Sequence, residues 1–239
     1  MWKIEPDTPL KLGVIEMNNL SVTTEKTAYE KILECAAEYA KKYQNTNIGE
    51  IPSVMNARNL FRSIGMDPTK HRPSSEALLR RALKGLEYYS INTLVDIGNW
   101  CSLDFLLPIC VYDTDKTEGE ITARLGKEGE SYFGHNNREA NLYNRFVVAD
   151  EKGPFGSPIT DSTRTAVDVN TKNAILIIFV PQEFDDDILQ KQMDIFTERV
   201  KKICGGELTE SFVLKSSRKE TQGTTKDIME LCDPFQSLS

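Results

Sequence analysis

The sequence predicts an α+β fold in a single domain, with a mixed β-sheet flanked by helices. Helical periodicity dominates the first hundred residues, strand patterns follow one another beyond residue 120, and an almost continuously apolar run at 174–180 predicts a strand covered on both sides. The 239 residues, 39% of them hydrophobic, suit one sizeable core or two closely packed halves. No linker divides them, so we expect one unit over residues 1–239.

The N-terminal part combines one strand with several amphipathic helices. Residues 10–17 form a predicted strand, and residues 25–43 carry apolar side chains at helical spacing. A further helix starts at Pro52 and ends at Gly65, because proline suits the first turn of a helix and glycine suits its end. After a proline-rich connector, Ser74 is expected to cap the next helix.

A helix and a strand are predicted to meet within residues 91–113. The apolar side chains at helical spacing are Ile91, Leu94, Val95 and Ile97. Pro108 breaks the chain before a short strand that begins at Val111. Asn99 and Cys110 are therefore expected at the two ends of a helix-to-strand corner. An amide and a thiol in such apolar surroundings are either satisfied internally or face a ligand.

The C-terminal half is predicted to be rich in strands. They are expected at 121–125, 131–133, 145–150, 165–169 and 174–180. An amphipathic helix at 185–203 ends before Gly205 and is followed by a strand at 210–214. The polar tail beyond this strand is expected to fray.

The segment 152–165 is too rich in glycine and proline to be regular, and loops on a strand scaffold often carry binding sites. Its polar cluster comprises Asp161, Ser162, Thr163 and Arg164. These residues offer an acceptor, hydroxyls and a forked donor that suit the ammonium and carboxylate ends of an amino acid. The alternative is that Asp161 and Ser162 satisfy turn amides while Arg164 pairs with a surface acid.

One stretch of this acidic chain is basic. The formal charge of -7 argues against a nucleic-acid-binding surface over the whole molecule. Between residues 56 and 84, however, Asp67 and Glu76 are outnumbered by seven basic residues, which are Arg58, Arg62, Lys70, Arg72, Arg80, Arg81 and Lys84. One interpretation is a solvated helix face whose arginines cover apolar surface and pair with acids elsewhere. The other is a patch that binds an RNA backbone.

The sequence offers little support for metal, cofactor or thiol chemistry. The five cysteines, at positions 35, 101, 110, 204 and 232, form no CxxC pair and are typical of reduced thiols. His71 and His135 have no metal-ligand spacing and are expected to be surface histidines. Cys110 lacks a nearby histidine that would lower its pKa, so it is expected to line a pocket or pack. We expect neither a metal nor a cofactor.

No stretch resembles a signal peptide or reaches the length of a membrane helix. We therefore expect a cytoplasmic protein with no membrane contact.

Four segments occur in a specific order. They are a leucine-rich basic helix at 74–81, a valine-aspartate helix at 91–99 ending in an asparagine, a proline turn into an aspartate strand at 108–113, and a glycine before an arginine strand at 119–124. This order and spacing resemble the B3/B4 domain of the bacterial phenylalanyl-tRNA synthetase beta subunit, over about residues 50–180. Because a catalytic synthetase module is absent, the chain is similar to the free-standing B3/B4 proteins.

The resemblance implies a site for aminoacyl-tRNA. In the synthetases this domain hydrolyses tyrosine wrongly attached to phenylalanine tRNA. Asn99 falls on the family's pocket asparagine, with Gly98 in place of a threonine, whereas Cys110 and Ile177 replace a pocket histidine and a pocket glutamate. The family's glycine-rich pocket loop corresponds to residues 156–164. The expected pocket residues are Asn99, Cys110, Phe155, Ser157, Asp161, Ser162 and Arg164.

Two functions from different classes remain open. In the first, the protein is a stand-alone deacylase of mischarged tRNA, in which a water attacks with help from the terminal hydroxyl of the tRNA. This mechanism needs no strong protein base, and no catalytic residue is assigned. In the second, the protein is a non-catalytic binding module for tRNA, an amino acid or another small metabolite. The sequence does not specify the oligomeric state.

Overall fold

The computed structural model describes residues 1–135 and 137–216. The helices of this part are α1 (Thr27–Lys42), α2 (Pro52–Arg62), α3 (Ser74–Leu83), α4 (Thr93–Phe105) and α5 (Asp186–Cys204). The strands are β1 (Trp2–Ile4), β2 (Leu10–Asn18), β3 (Ile109–Asp113), β4 (Ile121–Leu125), β5 (Ser131–Phe133), β6 (Glu139–Asn141), β7 (Phe146–Asp150), β8 (Gly153–Gly156), β9 (Ala174–Pro181) and β10 (Glu207–Lys215). The α+β class predicted from the sequence is confirmed.

Strand β9 lies inside an antiparallel sheet of order β10-β2-β9-β3, and all eight of its residues are buried. Its side chains alternate between two cores, as the period of two in a strand requires. Leu176 and Ile178 pack against α4 and α5, whereas Ile177 and Phe179 pack against α2 and the second sheet. This explains why residues 174–180 are almost continuously apolar.

The second sheet has the order β1-β4-β7-β8. It is the mixed sheet, because β1 runs parallel to β4 and the other pairs are antiparallel. Strands β5 and β6 pair separately as two antiparallel strands. The sequence patterns identified most of these strands but did not show that the main ones divide into two four-stranded sheets.

Local residues set both ends of helix α4. The side chain of Asn92 accepts a hydrogen bond from the Val95 N–H at 2.9 Å and caps the helix. Leu106 follows the helix in the left-handed conformation, with φ 56°. Pro108 then leads into β3, which starts at Ile109, two residues earlier than predicted. The short connection brings β3 back along α4.

Some of the predicted local structure is wrong. The predicted strand at 165–169 is absent, because a 3₁₀ turn at Thr163–Thr165 and a hydrogen-bonded turn around Asp168 occupy this segment. The cap of α3 is Pro73, and the Ser74 hydroxyl has no hydrogen-bond partner. Strand β8 lies where an irregular loop was expected. The predicted fraying of the tail concerns residues outside the described part of the chain.

No helix among residues 1–135 and 137–216 has the length and apolar character needed to cross a membrane.

Candidate functional site

A pocket of about 370 Å³ opens beside the edge strand β3. Helix α4, β3, His135 and the segment that follows β8 form its walls. The residues that line it are Ile91, Val95, Asn99, Val111, Tyr112, His135, Asp161, Ser162, Ala166 and Val167. Its volume is within the range of roughly 300–1,000 Å³ that is typical of small-molecule sites. It combines an apolar wall with a few polar groups, as such sites usually do.

Helix α4 supplies one wall through Val95 and Asn99, which are four residues apart and so share a face. Asn99 lies within the helix, six residues before its last residue Phe105, and not at a helix end as predicted. Gly98 allows the helix to approach β3 closely, since a Cβ atom there would lie 3.1 Å from Cγ1 of Val111. No described residue hydrogen-bonds the Asn99 side chain, so its amide is available to a ligand.

A hydrogen-bonded pair, Tyr112 and Asp161, forms the floor of the pocket. Tyr112 donates from its hydroxyl to Oδ1 of Asp161 at 2.6 Å, and the Ser157 N–H donates to the same oxygen at 3.3 Å. Gly156 is required beside this pair, because a Cβ atom there would lie 1.9 Å from the Tyr112 oxygen. Phe155 supports the tyrosine ring edge-on, with centroids 4.9 Å apart.

Burial raises the pKa of Asp161 above its ordinary value, although the hydrogen bonds from Tyr112 and Ser157 and the charge of His135 oppose the rise. Burial and the neighbouring Asp161 also raise the pKa of Tyr112 well above its ordinary value. The tyrosine therefore stays protonated and donates to the carboxyl group. Asp161 is the only carboxyl side chain among the described residues that line the pocket.

The loop that carries Asp161 is held from several sides. The Ser157 hydroxyl donates to the Thr160 carbonyl at 2.7 Å, and the Tyr132 hydroxyl donates to the same carbonyl at 2.6 Å. The Ser162 N–H donates to the Phe155 carbonyl at 2.9 Å. These bonds fix the direction of the Asp161 side chain before any ligand binds.

His135 is a pocket residue that the sequence interpretation missed. It follows β5, and the preceding Gly134 forms an isolated antiparallel bridge with Ser162. This bridge brings His135 to the rim of the pocket, where its side chain remains exposed. The sequence showed only a histidine in an asparagine turn, and it contained no signal for a bridge between residues 28 positions apart.

Cys110 lies behind the pocket wall and is 5% exposed. Its thiol donates to the Ser157 carbonyl at 3.4 Å. Burial, followed by the negative charge of Asp161, raises the pKa of this thiol well above its ordinary value. The thiolate that a nucleophile needs is therefore disfavoured. Ile177 pairs with Cys110 across the strands and is fully buried in the core.

Arg164 points away from the pocket. Its guanidinium makes two hydrogen bonds to the Asp150 carboxylate, at 2.9 and 2.8 Å, and also donates to the carbonyls of Lys116 and Gly153. Burial alone would raise the pKa of Asp150, but Arg164 and two backbone N–H groups lower it below its ordinary value. Arg164 thus pairs with a buried acid.

The structure divides the seven predicted pocket residues into three groups. Asn99, Asp161 and Ser162 line the pocket. Cys110, Phe155 and Ser157 are buried behind it and support the loop or Tyr112. Arg164 alone is directed elsewhere.

The basic segment is partly an internal ion-pair network. Arg58 is buried and donates to both carboxylate oxygens of Glu76, at 2.8 and 3.0 Å, and Arg80 adds a bond at 3.0 Å. Arg72 lies 3.9 Å from the same carboxylate. Burial of Glu76 acts to raise its pKa, but Arg58 and Arg80 lower it below its ordinary value. Arg58 is therefore not available to a phosphate.

The other basic residues of the segment are accessible. Arg62 donates to Oδ1 of Asn59 at 3.1 Å, and Arg81 donates to the Glu87 carbonyl at 2.8 Å. Lys70 and Lys84 are exposed. Helix α3 adjoins the pocket loop, since the Ser74 N–H donates to the Pro158 carbonyl at 3.3 Å. The segment thus flanks the pocket.

Comparison with known proteins identifies the family. Residues 56–205 match the model of the B3/4 domain family, and this match covers more than half of the chain. The chain therefore belongs to the B3/4 domain family, and the resemblance seen in the sequence is confirmed.

Among curated proteins, the chain is similar in sequence to ligase beta subunits. The phenylalanine–tRNA ligase beta subunit of Bartonella henselae is 28% identical over 183 residues, which are 66% of this chain and 23% of that protein. The subunit of Neisseria meningitidis serogroup A is 38% identical over 89 residues, 36% of this chain and 11% of that protein. The chain thus spans less than a quarter of the length of either ligase subunit.

Among solved structures, the chain is similar to an N-terminal fragment of the phenylalanyl-tRNA synthetase beta subunit from Pyrococcus horikoshii, and the alignment covers 89% of this chain and 53% of the fragment. The TM-score is 0.47 and the sequence identity is 10%, so the likeness is distant.

The raised pKa of Asp161 predicts a pH-dependent cost to stability. Its protonated form is favoured by folding, so the free energy of unfolding falls as pH rises from the unfolded pKa through the raised folded pKa. Asp161→Asn removes this cost and keeps an oxygen that accepts from Tyr112. Relative to the parent, its unfolding free energy should therefore increase with pH over this interval and then level off, as measured by urea unfolding at a series of pH values.

Asp168→Asn is the matched control with the opposite sign. The bond from Lys116 lowers the pKa of Asp168, so this carboxylate stabilises the fold above its unfolded pKa and loses that effect as pH falls. The difference between this variant and the parent should shrink toward low pH. If the Asp161→Asn difference followed the same course, the assigned environment of Asp161 would be wrong.

Proposed function

We propose that this member of the B3/4 domain family binds the aminoacyl end of a tRNA in the pocket and hydrolyses the ester that joins the amino acid to the ribose. The observation that carries the proposal is the composition of the pocket. It presents a carboxyl group for an ammonium, a free amide for a carbonyl and an apolar wall for a side chain. Both relatives described above are named as phenylalanine–tRNA ligase beta subunits, which supports tRNA as the carrier.

The α-ammonium group of the bound amino acid pairs with Asp161. A carboxylate held by Tyr112 and the Ser157 N–H needs little reorganisation on binding, and a cation beside it offsets the cost of its burial. The Asn99 amide on the α4 wall, which no described residue hydrogen-bonds, donates to the ester carbonyl. Val95, Val111 and Val167 contact the amino acid side chain.

The pocket favours an ester over a free amino acid. A free amino acid carries a carboxylate, and burying that charge requires a cation or several donors. The arginine that the sequence offered for this role, Arg164, is committed to Asp150. His135 is the sole basic side chain among the described residues that line the pocket. An esterified carboxyl group carries no charge and avoids this cost.

Hydrolysis proceeds by attack of water on the ester carbonyl. The water oxygen bonds to the acyl carbon, the bond from that carbon to the ribose oxygen breaks, and the ribose oxygen takes a proton. Cys110 is not the nucleophile, because its thiol stays protonated. The neighbouring hydroxyl of the terminal ribose orients the water by a hydrogen bond, and His135 at the rim accepts the proton of the water and returns it to the leaving ribose oxygen.

A second candidate function, a non-catalytic binding module, is supported by a different observation. The described pocket residues include no serine, threonine or cysteine hydrogen-bonded to a histidine, and the positions that correspond to the family's histidine and glutamate hold the buried Cys110 and Ile177. Such a module would bind aminoacyl-tRNA by the same contacts and release it intact.

Asn99→Ala and Asp161→Asn should both slow release of the amino acid from tRNA. Asn99→Ala removes a donor to the carbonyl in the transition state, a loss that typically costs about 10²–10³-fold in kcat. Asp161→Asn removes a charged hydrogen bond to the ammonium group, worth about 1.5–3 kcal/mol, which predicts a fall of roughly 10- to 150-fold in kcat/KM. The measurement is release of labelled amino acid from phenylalanine tRNA charged with tyrosine, followed by a panel of other mischarged tRNAs.

The matched control is Asn45→Ala, which removes an exposed amide that does not line the pocket. It should leave the rate unchanged. A parent protein that binds these tRNAs without releasing amino acid would favour the binding module. Unchanged rates in both pocket variants would show that the site is elsewhere.

Binding of tRNA should depend on salt through the accessible part of the basic segment. Each Lys or Arg that neutralises a phosphate contributes close to one unit of slope in a plot of log affinity against log salt. Lys70→Gln combined with Lys84→Gln should reduce this slope by about two units. Salt titrations between 50 and 200 mM measure it, with Lys127→Gln combined with Lys191→Gln as the control at exposed lysines outside the segment.

A slope that stays the same in the Lys70 and Lys84 variant would exclude these residues from the interface. Arg58 is unsuitable for this test, because removing one partner of the buried pair with Glu76 would destabilise the fold by roughly 3–5 kcal/mol.

A further inference from the structure

A second cavity adjoins the pocket and shares a wall with it. It has a volume of about 470 Å³ and is lined by Thr24, Lys26, Tyr29, Tyr88, Tyr89, Ser90 and Ile91. Ile91 also lines the pocket that contains Asp161. Because Ile91 borders both cavities, a single extended ligand is able to reach from one to the other across this residue.

The backbone that forms this cavity is held firmly although residues 88–91 form no helix or strand. The fully buried carboxyl group of Asp96 accepts hydrogen bonds from the Ser90 hydroxyl at 2.7 Å and from the Ile91 N–H at 3.0 Å. The Tyr29 hydroxyl donates to the Tyr88 carbonyl at 3.1 Å. The Tyr88 hydroxyl donates to the Leu78 carbonyl at 2.7 Å.

This rigid segment presents two large side chains to solvent. Tyr89 is 73% exposed and Ile91 is 60% exposed. Adjacent exposed apolar groups on a well-fixed backbone are typical of a contact surface, because folding alone gains nothing from placing them there. The fixed backbone also reduces the entropy lost when a ligand binds.

The charged side chain that lines the second cavity is positive. Lys26 is part of its lining, and none of its described lining residues is acidic. The Arg81 guanidinium lies 5.2 Å from the centre of the Tyr89 ring. An exposed aromatic ring with basic side chains beside it is the combination that single-stranded nucleic acids require, since bases stack on the ring and phosphates pair with the cations.

We propose that the second cavity binds the terminal nucleoside of the aminoacyl-tRNA, with its base stacked on Tyr89 and the adjoining phosphates near Lys26 and Arg81. Ile91 then separates the base from the amino acid, which lies against Asp161. This inference rests on the proposed function and adds the residues that recognise the nucleic-acid part of the ligand. It also assigns one residue of the basic segment, Arg81, to the unpaired end of the tRNA.

The test compares uncharged phenylalanine tRNA with the same tRNA lacking its 3′-terminal adenosine. The parent should bind the complete tRNA more tightly. Tyr89→Ala should weaken binding of the complete tRNA by about 5- to 140-fold, the range that stacking of one base supports, and should remove the difference between the two tRNAs. Tyr89→Phe retains the ring and should bind within about twofold of the parent.

Two controls separate this inference from the proposed function. Tyr143→Ala removes a tyrosine that is 61% exposed and lines neither cavity, so it should have no effect. Amino acid methyl esters carry no nucleoside, so Tyr89→Ala should bind them as the parent does, whereas Asp161→Asn should bind them more weakly.

This inference would be overturned if the parent bound both tRNAs equally, or if Tyr89→Ala bound the complete tRNA as tightly as the parent does. The proposed function would still stand if Asp161→Asn bound the amino acid esters more weakly than the parent. A parent that bound neither tRNA would overturn both.

Discussion

The fold is organised by the constraint that strand β9 has no face exposed to water. Its side chains alternate between two cores, so the antiparallel sheet must be covered by α4 and α5 on one side and by α2 and the second sheet on the other. Both coverings converge at the edge strand β3, where Val111 faces the helices and Tyr112 faces the second sheet. The pocket lies at this edge, and its position follows from how the two layers meet.

At that edge, the structure keeps a carboxyl group in surroundings that disfavour its charge. Tyr112 and the Ser157 N–H fix Asp161, and the same burial that raises its pKa strengthens its attraction for a cation. A site that is less stable than it would be with a neutral residue, but better prepared for its ligand, is a common compromise in binding proteins. Asp96 follows a similar pattern, since burial raises its pKa while it holds the residues that form the second cavity.

The sequence predicted the elements with strong periodicity and failed where structure depends on distant contacts. Helices α1, α2 and α5 and the apolar strand β9 were found within a few residues, because each depends on its own pattern of apolar side chains. Residues 165–169 have the alternation of a strand, but the turn around Asp168 takes the hydrogen bonds that a strand would need.

The same distinction applies to the site. Asn99, Asp161 and Ser162 were predicted to share a pocket, partly through the family resemblance, and the structure has all three in the lining of one cavity. The role of Arg164 depended on Asp150, a partner that only the fold brings close. His135 and Tyr89 gave no local signal, because a histidine in a turn and a tyrosine outside a helix acquire meaning only from what lies beside them.

We propose that the pocket recognises the amine of an esterified amino acid. Calorimetric titration of the parent protein with amino acid methyl esters, the matching free acids and the N-acetylated esters tests this recognition. At least one ester should bind, its free acid should bind more weakly because the pocket lacks a partner for the carboxylate, and acetylation of the amine should abolish binding. Free acids that bind as tightly as their esters, or acetylated esters that bind as tightly as the amines, would contradict this proposal.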